Sequence, residues 1–135
     1  MNRTSAYIVG VLVLGLMVAA VPAVAHHAFS AEFDANKPTT KQGIVTKVEW
    51  TNPHVWFYVD VVGEDGAVEN WGVEMGPPHL LQGRGWTRTS MVIGDDVTVD
   101  GSLARNGSNR LNARTVTFTT TGERVDAASS QNTTP

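Results

Sequence analysis

An all-β domain is what this sequence predicts: a small five-stranded OB-like Greek-key barrel, with a short helix or irregular loop between strands 3 and 4. Three observations predict it. Residues 54–62 (HVWFYVDVV) alternate apolar and polar side chains with a period of two, the signature of a half-buried strand. Three strand-like segments precede a Pro- and Gly-rich break at 76–94, and two follow it, which is the order of a five-stranded, partly open barrel. Gly43, Gly72 and Gly101 fall inside predicted strands, where a small sheet has to bend to curl shut. An immunoglobulin-like sandwich needs about seven strands, more than some 80 ordered residues supply.

The elements follow in order. Lys41–Trp50 reads as the first strand, with Ile44, Val48 and Trp50 on the inner face and Lys47 and Glu49 on the outer. Pro53 removes a backbone donor and ends it in a turn. In the second strand Val55, Phe57, Val59 and Val61 point inward, and His54, Trp56, Tyr58 and Asp60 outward. Gly63-Glu64-Asp65-Gly66 is a hairpin loop, because Asp-Gly favours positive φ. Val68–Met75 is the third strand, with Trp71, Val73 and Met75 inward and Asn70, Gly72 and Glu74 outward. The break predicts a short helix near Pro78–Gln82 and a loop that tucks Trp86 into the core. Asp95–Leu103 is the fourth strand, with Val97, Val99 and Gly101 inward. A turn on Asn106-Gly107 leads to the fifth strand, Arg110–Thr120.

The flanks carry other information. Arg3, an apolar run from about Tyr7 to Val21, Pro22 and the small residues Ala23 and Ala25 have the parts of an export signal, so residues 1–25 are expected to be a signal peptide cleaved after Ala25. The run is short for a membrane span, which needs roughly 20 apolar residues, and no stable span is expected after cleavage. The mature chain is then expected in the periplasm or the extracellular medium. Residues 26–40 form a lead-in, either a short strand or one helical turn, docked by Phe29 and Phe33. Residues 41–120 are the barrel domain, and 121–135, rich in Thr, Ser, Asn and Gln, are expected to be a disordered tail. The chain has no cysteine and so no disulfide. Cleavage removes one charge, Arg3, and leaves 9 basic residues facing 13 acidic ones. That balance argues against nucleic acid, which needs a basic stripe.

Cleavage after Ala25 makes His26 the first residue. Its α-amine and ring nitrogen close a chelate on one metal ion, and nitrogen ligands in tetragonal geometry favour Cu(II). His27, His54 and His79 are the other candidate ligands, and copper is the candidate cofactor. Any His-His start also binds copper weakly, so only a tight site is informative. Trp56 and Tyr58 form an aromatic row that suits a protein, peptide or saccharide partner, with Asn70 and Glu74 on the same face. Asp60 is expected on that face too, and carboxylates near His54 suit the role of outer partners to a metal-binding imidazole. Met75 on the apolar face reads as core. No cysteine nucleophile, Gly-x-Ser-x-Gly elbow, phosphate-binding loop or His-Glu-x-x-His motif is present, so the expectation is a binding module and not an enzyme.

Several motifs carry a resemblance: His26-His27-x-Phe29, Glu32-Phe33-Asp34, Gly43-x-Val45-x-x-Val48-x-Trp50-x-Asn52-Pro53-His54, Gly85-Trp86-Thr87-Arg88 and Gly94-Asp95-x-Val97-x-Val99-x-Gly101. Over about 28–118 the chain resembles a family of small exported bacterial proteins, domain-of-unknown-function family 6152. The resemblance implies export, one domain and a barrel-like fold, and assigns no activity. The chain is similar, more faintly, to small periplasmic copper carriers built on OB-folds, whose Met-x-Met spacing is absent here.

Overall fold

The computed structural model describes Ser5, Tyr7 and residues 29–129. Residues 29–32 are helical and run into β1 (Phe33–Glu49). Then follow β2 (Trp56–Val62), β3 (Val68–Glu74), the short helix α1 (Pro78–Gly83), β4 (Asp96–Ala104), β5 (Arg110–Phe118) and β6 (Arg124–Asp126). The strands lie in the order β3-β2-β1-β4-β5-β6, and an added β3–β5 pairing joins the two sides. Five strands thus make a hydrogen-bonded ring, β1-β2-β3-β5-β4, with every neighbour antiparallel except β3 and β5. The all-β, barrel-like class and the helix between the third and fourth strands agree with the sequence. The sixth strand is an addition.

The long β1 makes closure possible because it serves two partners. Its first part pairs with β4 and its last part with β2, and Ile44 is opposite both Asp60 and Asp96. The chain is most crowded there. A Cβ on Gly43 would overlap the Asp60 carbonyl, so only glycine fits. Residues 33–40, read as lead-in, are therefore strand. Their polar composition and Pro38 obscure this in the sequence. Pro38 is tolerated where β1 has β4 as its only partner.

A bulge between Val45 and Lys47 corrects the predicted inner face. Thr46 is the extra residue, and it shifts the parity of what precedes it. Val45 is buried at 1% exposure and Ile44 is 44% exposed, the reverse of the expectation. Val48 and Trp50 pack on the core as predicted. The inner faces of β2 and β3 are those read from the alternation: Val55, Phe57, Val59, Val73 and Met75 are all buried. Gly66 and Gly107 hold positive φ in the two predicted hairpin turns.

Leu81 of α1 is fully buried. The chain turns at Gly85 (φ 95°) and delivers Trp86 to the core, where its indole N–H donates to the Asp126 carbonyl at 2.8 Å. That acceptor lies in the segment expected to be disordered. Within the described residues the expectation is corrected: β6 pairs with β5, and Ala127, Ala128 and Ser129 are buried. Gly76 N–H donates to Ala127 O, and Ala127 N–H to Arg114 O, both at 2.9 Å. Residues 130–135 lie outside the described residues. No helix among the described residues is long and apolar enough to cross a membrane.

Candidate ligand-binding site

Strand pairing, not sequence proximity, assembles the outer face. One row of paired residues crosses five strands: Ser102, Asn112, Glu74, Trp56 and Glu49. The next row runs Arg110, Gly72, Tyr58 and Lys47. Paired residues share a face, so the period-two alternation of β2 places His54, Trp56 and Tyr58 on the side away from the core.

At one end, His54 Nδ1 is hydrogen-bonded to Glu74 Oε1. Glu74 is buried and His54 half-buried. The Glu74 hydrogen bond raises the His54 pKa above its ordinary value. Burial opposes this, and the charges of Glu74 and Glu32 add to it. Glu32 also pairs with Arg110 at 2.8 Å. The Arg110 guanidinium in turn stands 4.6 Å from the centroid of the Trp56 ring, a cation–π contact that fixes the indole. The 29–32 turn is held to the β4–β5 hairpin by Arg105, whose backbone N–H donates to Glu32 O at 2.9 Å and whose Nε donates to Ser30 O at 2.6 Å.

Beside this cluster is a cleft of about 420 Å³ lined by Glu49, Trp56, Tyr58, Asn70, Gly72 and Arg110, with Asn109 at its edge. The Tyr58 hydroxyl donates to Glu49 Oε2 at 3.2 Å, and Lys47 Nζ reaches Glu49 Oε1 at 2.5 Å. That hydrogen bond raises the Lys47 pKa and lowers that of Glu49, so both stay charged. The Asn70 amide nitrogen donates to Asp60 at 2.8 Å and to Thr46 at 3.2 Å, which aligns its side chain along the sheet.

The structure brings together five of the residues singled out in the sequence: His54, Trp56, Tyr58, Asn70 and Glu74. His79 is exposed on α1 and belongs to no such cluster. His26 and His27, the proposed chelate, lie outside the described residues. Among the described residues no three of His, Cys, Asp and Glu are grouped to hold a metal ion. Met75 is core, at 1% exposure. Sequence reasoning missed Arg110, Asn109 and Glu32. No local signal marks them, because Arg110 meets Gly72 only through the parallel β3–β5 closure.

The model of a family of unknown function, DUF6152, matches residues 13–112. No curated relative matches the chain.

Proposed function

The chain belongs to DUF6152, a family of unknown function, and from that premise we propose that it is an exported, non-enzymatic binding module. The leader-like residues 1–25 support export to the periplasm or beyond. The ligand is taken in the cleft over β2 and β3. One observation carries this reading: two half-buried aromatic side chains, Trp56 and Tyr58, line one hollow with the polar groups of Glu49, Asn70, Asn109 and Arg110. Such a mix of rings and a few fixed polar groups is how small-molecule sites are built. The sequence has no cysteine nucleophile, Gly-x-Ser-x-Gly elbow or His-Glu-x-x-His motif, which is why binding is favoured over catalysis.

The test is a screen of sugars, amino acids, peptides and nucleosides against the purified protein, read by thermal shift. Ligands of the cleft will lose at least tenfold in affinity in Trp56→Ala, about 1.4 kcal/mol. The half-buried Trp56 lies outside the core, so the variant keeps its melting temperature to within a few degrees. Ligands whose affinity is indifferent to Trp56→Ala would refute the cleft.

A second reading is favoured by the Glu74 carboxylate on His54 Nδ1. Carboxylates take this position behind metal-binding histidines, where they orient the ring and leave Nε2 for the metal. With the amine and ring of a cleaved His26, His54 would complete a nitrogen set suited to Cu(II). Copper titration of the processed protein is expected to give submicromolar affinity that disappears when one residue is added ahead of His26. Equal binding by the extended form would exclude this mode.

A further inference from the structure

The ring closes on β3 over only part of that strand. β2 pairs with all of it, from Val68 to Glu74, whereas β5 pairs with Gly72, Val73 and Glu74 alone. Val68, Glu69 and Asn70 therefore have a strand on one side only. Burial follows the same division: these three residues are exposed, and residues 71–74 are buried.

The alternation of the ladder shows which main-chain groups this edge presents. Gly72 N–H donates to Asn109 O, away from β2. Met75 N–H donates to Val55 O, and Ala67 O accepts from Gly63 N–H, both toward the β2 side. Even-numbered residues of β3 thus turn their N–H and C=O outward, and odd-numbered ones turn theirs toward β2. Val68 and Asn70 carry the outward groups of the open stretch, and no main chain of a loop or turn among the described residues bonds to them.

Edges of this kind are usually blunted by lysine, proline or a bulge. The edge of β3 has none of these. It carries apolar side chains instead: Val68 is paired with Val62, and at 62% and 67% exposure they are the two most exposed large apolar residues of any strand. The charge around them has one sign. Among the described residues Glu64 and Asp65 of the hairpin loop and Glu69 of the edge form no ion pair. Lys41 is engaged with the Trp71 ring, 4.2 Å from its centroid. A second copy of this chain would bring the same acids against one another, whereas a cationic strand is attracted to them.

We propose that the open edge of β3 takes an extended, cationic segment of a partner protein, which adds to the sheet as a further strand. The main chain of Val68 and Asn70 supplies the hydrogen bonds. A period of two sends alternate side chains of the added strand to opposite faces, apolar ones beside Val68 and lysine or arginine beside Glu69. The surface goes beyond the cleft reading: Asn70 enters the cleft by its side chain and this edge by its main chain, and Trp56 takes no part in it.

The experiment is an NMR titration of the purified protein with an octapeptide alternating lysine and valine, and with its counterpart alternating glutamate and valine. The lysine peptide is expected to bind with a Kd of about 100 μM or tighter, with the largest amide shifts at Val68 and Asn70. The glutamate peptide is expected to bind at least tenfold more weakly. Val68→Lys, at an exposed position, is expected to keep its thermal melt and lose at least tenfold in affinity for the lysine peptide. A lysine peptide N-methylated throughout keeps its charge, cannot pair with a strand, and is expected not to bind. Absence of shifts at Val68 and Asn70 overturns the inference, and equal binding by the glutamate peptide overturns the cationic partner. Equal binding by the methylated peptide shows attraction by charge alone and overturns strand addition. Concentration-dependent shifts at Val68 and Asn70 without any peptide would assign the edge to a second copy and overturn the partner segment.

Discussion

A chain ended at Thr120 will lose a large part of its stability. The cut removes β6, whose three residues pair with Thr115, Val116 and Thr117, and it removes the buried Ala127 and Ala128. It also strips acceptors from groups that stay inside. The Trp86 indole N–H loses Asp126 O, Gly76 N–H loses Ala127 O, and Arg84 loses both Asp126 and Ala128 O. A buried donor left without a partner costs about 1–3 kcal/mol. The summed loss is about 4 kcal/mol, against a total of roughly 5–15 kcal/mol for a domain of ordinary stability. Thermal melts followed by circular dichroism are expected to fall by about 20 °C. The control ends at Ser129 and keeps every one of these contacts. Coincident melts for the chains ending at Thr120 and Ser129 would show that this segment contributes nothing to the fold.

Gly101→Ala is the second large effect. The β4–β5 pairing is irregular between Asp100 and Gly101, because Arg114 is an extra residue in β5 there. A Cβ on Gly101 would lie 2.9 Å from the Asn112 carbonyl carbon, closer still to its oxygen, and 3.0 Å from Leu111 Cδ1. Two of these atoms are main chain of a strand paired on both sides, so they cannot move aside as a flexible side chain would. The expected cost is roughly 3 kcal/mol. Urea denaturation measures it, with Gly72→Ala as the matched comparison. That variant adds the same methyl group at ordinary contact distances and is expected to change stability by less than about 1 kcal/mol. Equal losses at the two positions would mean that strand glycine, not steric crowding, sets the effect.

The segments legible in the sequence share a property: their signal is complete within a few residues. The alternation of residues 54–62 fixes which side of β2 is buried, whatever β2 pairs with. The turn residues Gly66 and Gly107 are required by local backbone geometry. Trp86, set among prolines and glycines, has nowhere to be but the core. The segments that were not legible depend on a partner. The polar residues 34–40 leave a short strand and a helical turn equally open, and they become strand because β4 lies beside them. Ala127 and Ala128 are too small to announce burial, and they are buried because Gly76 and the β5 backbone leave room for them. The inner face of β1 was misread at Ile44 because a bulge has no signature until two strands fix the register.

The same division runs through the candidate site. The sequence by itself determined the all-strand class, the five ring strands, and an outward column of His54, Trp56 and Tyr58, since a period of two is imposed by the strand backbone alone. Only the tertiary structure decided that Glu74 bonds to His54, that Arg110 lies over Trp56, and that Gly72 is buried under Trp56, Tyr58 and Arg110. Those contacts join β2, β3, β5 and the 29–32 turn, and they exist only once β3 and β5 pair in parallel to close the ring.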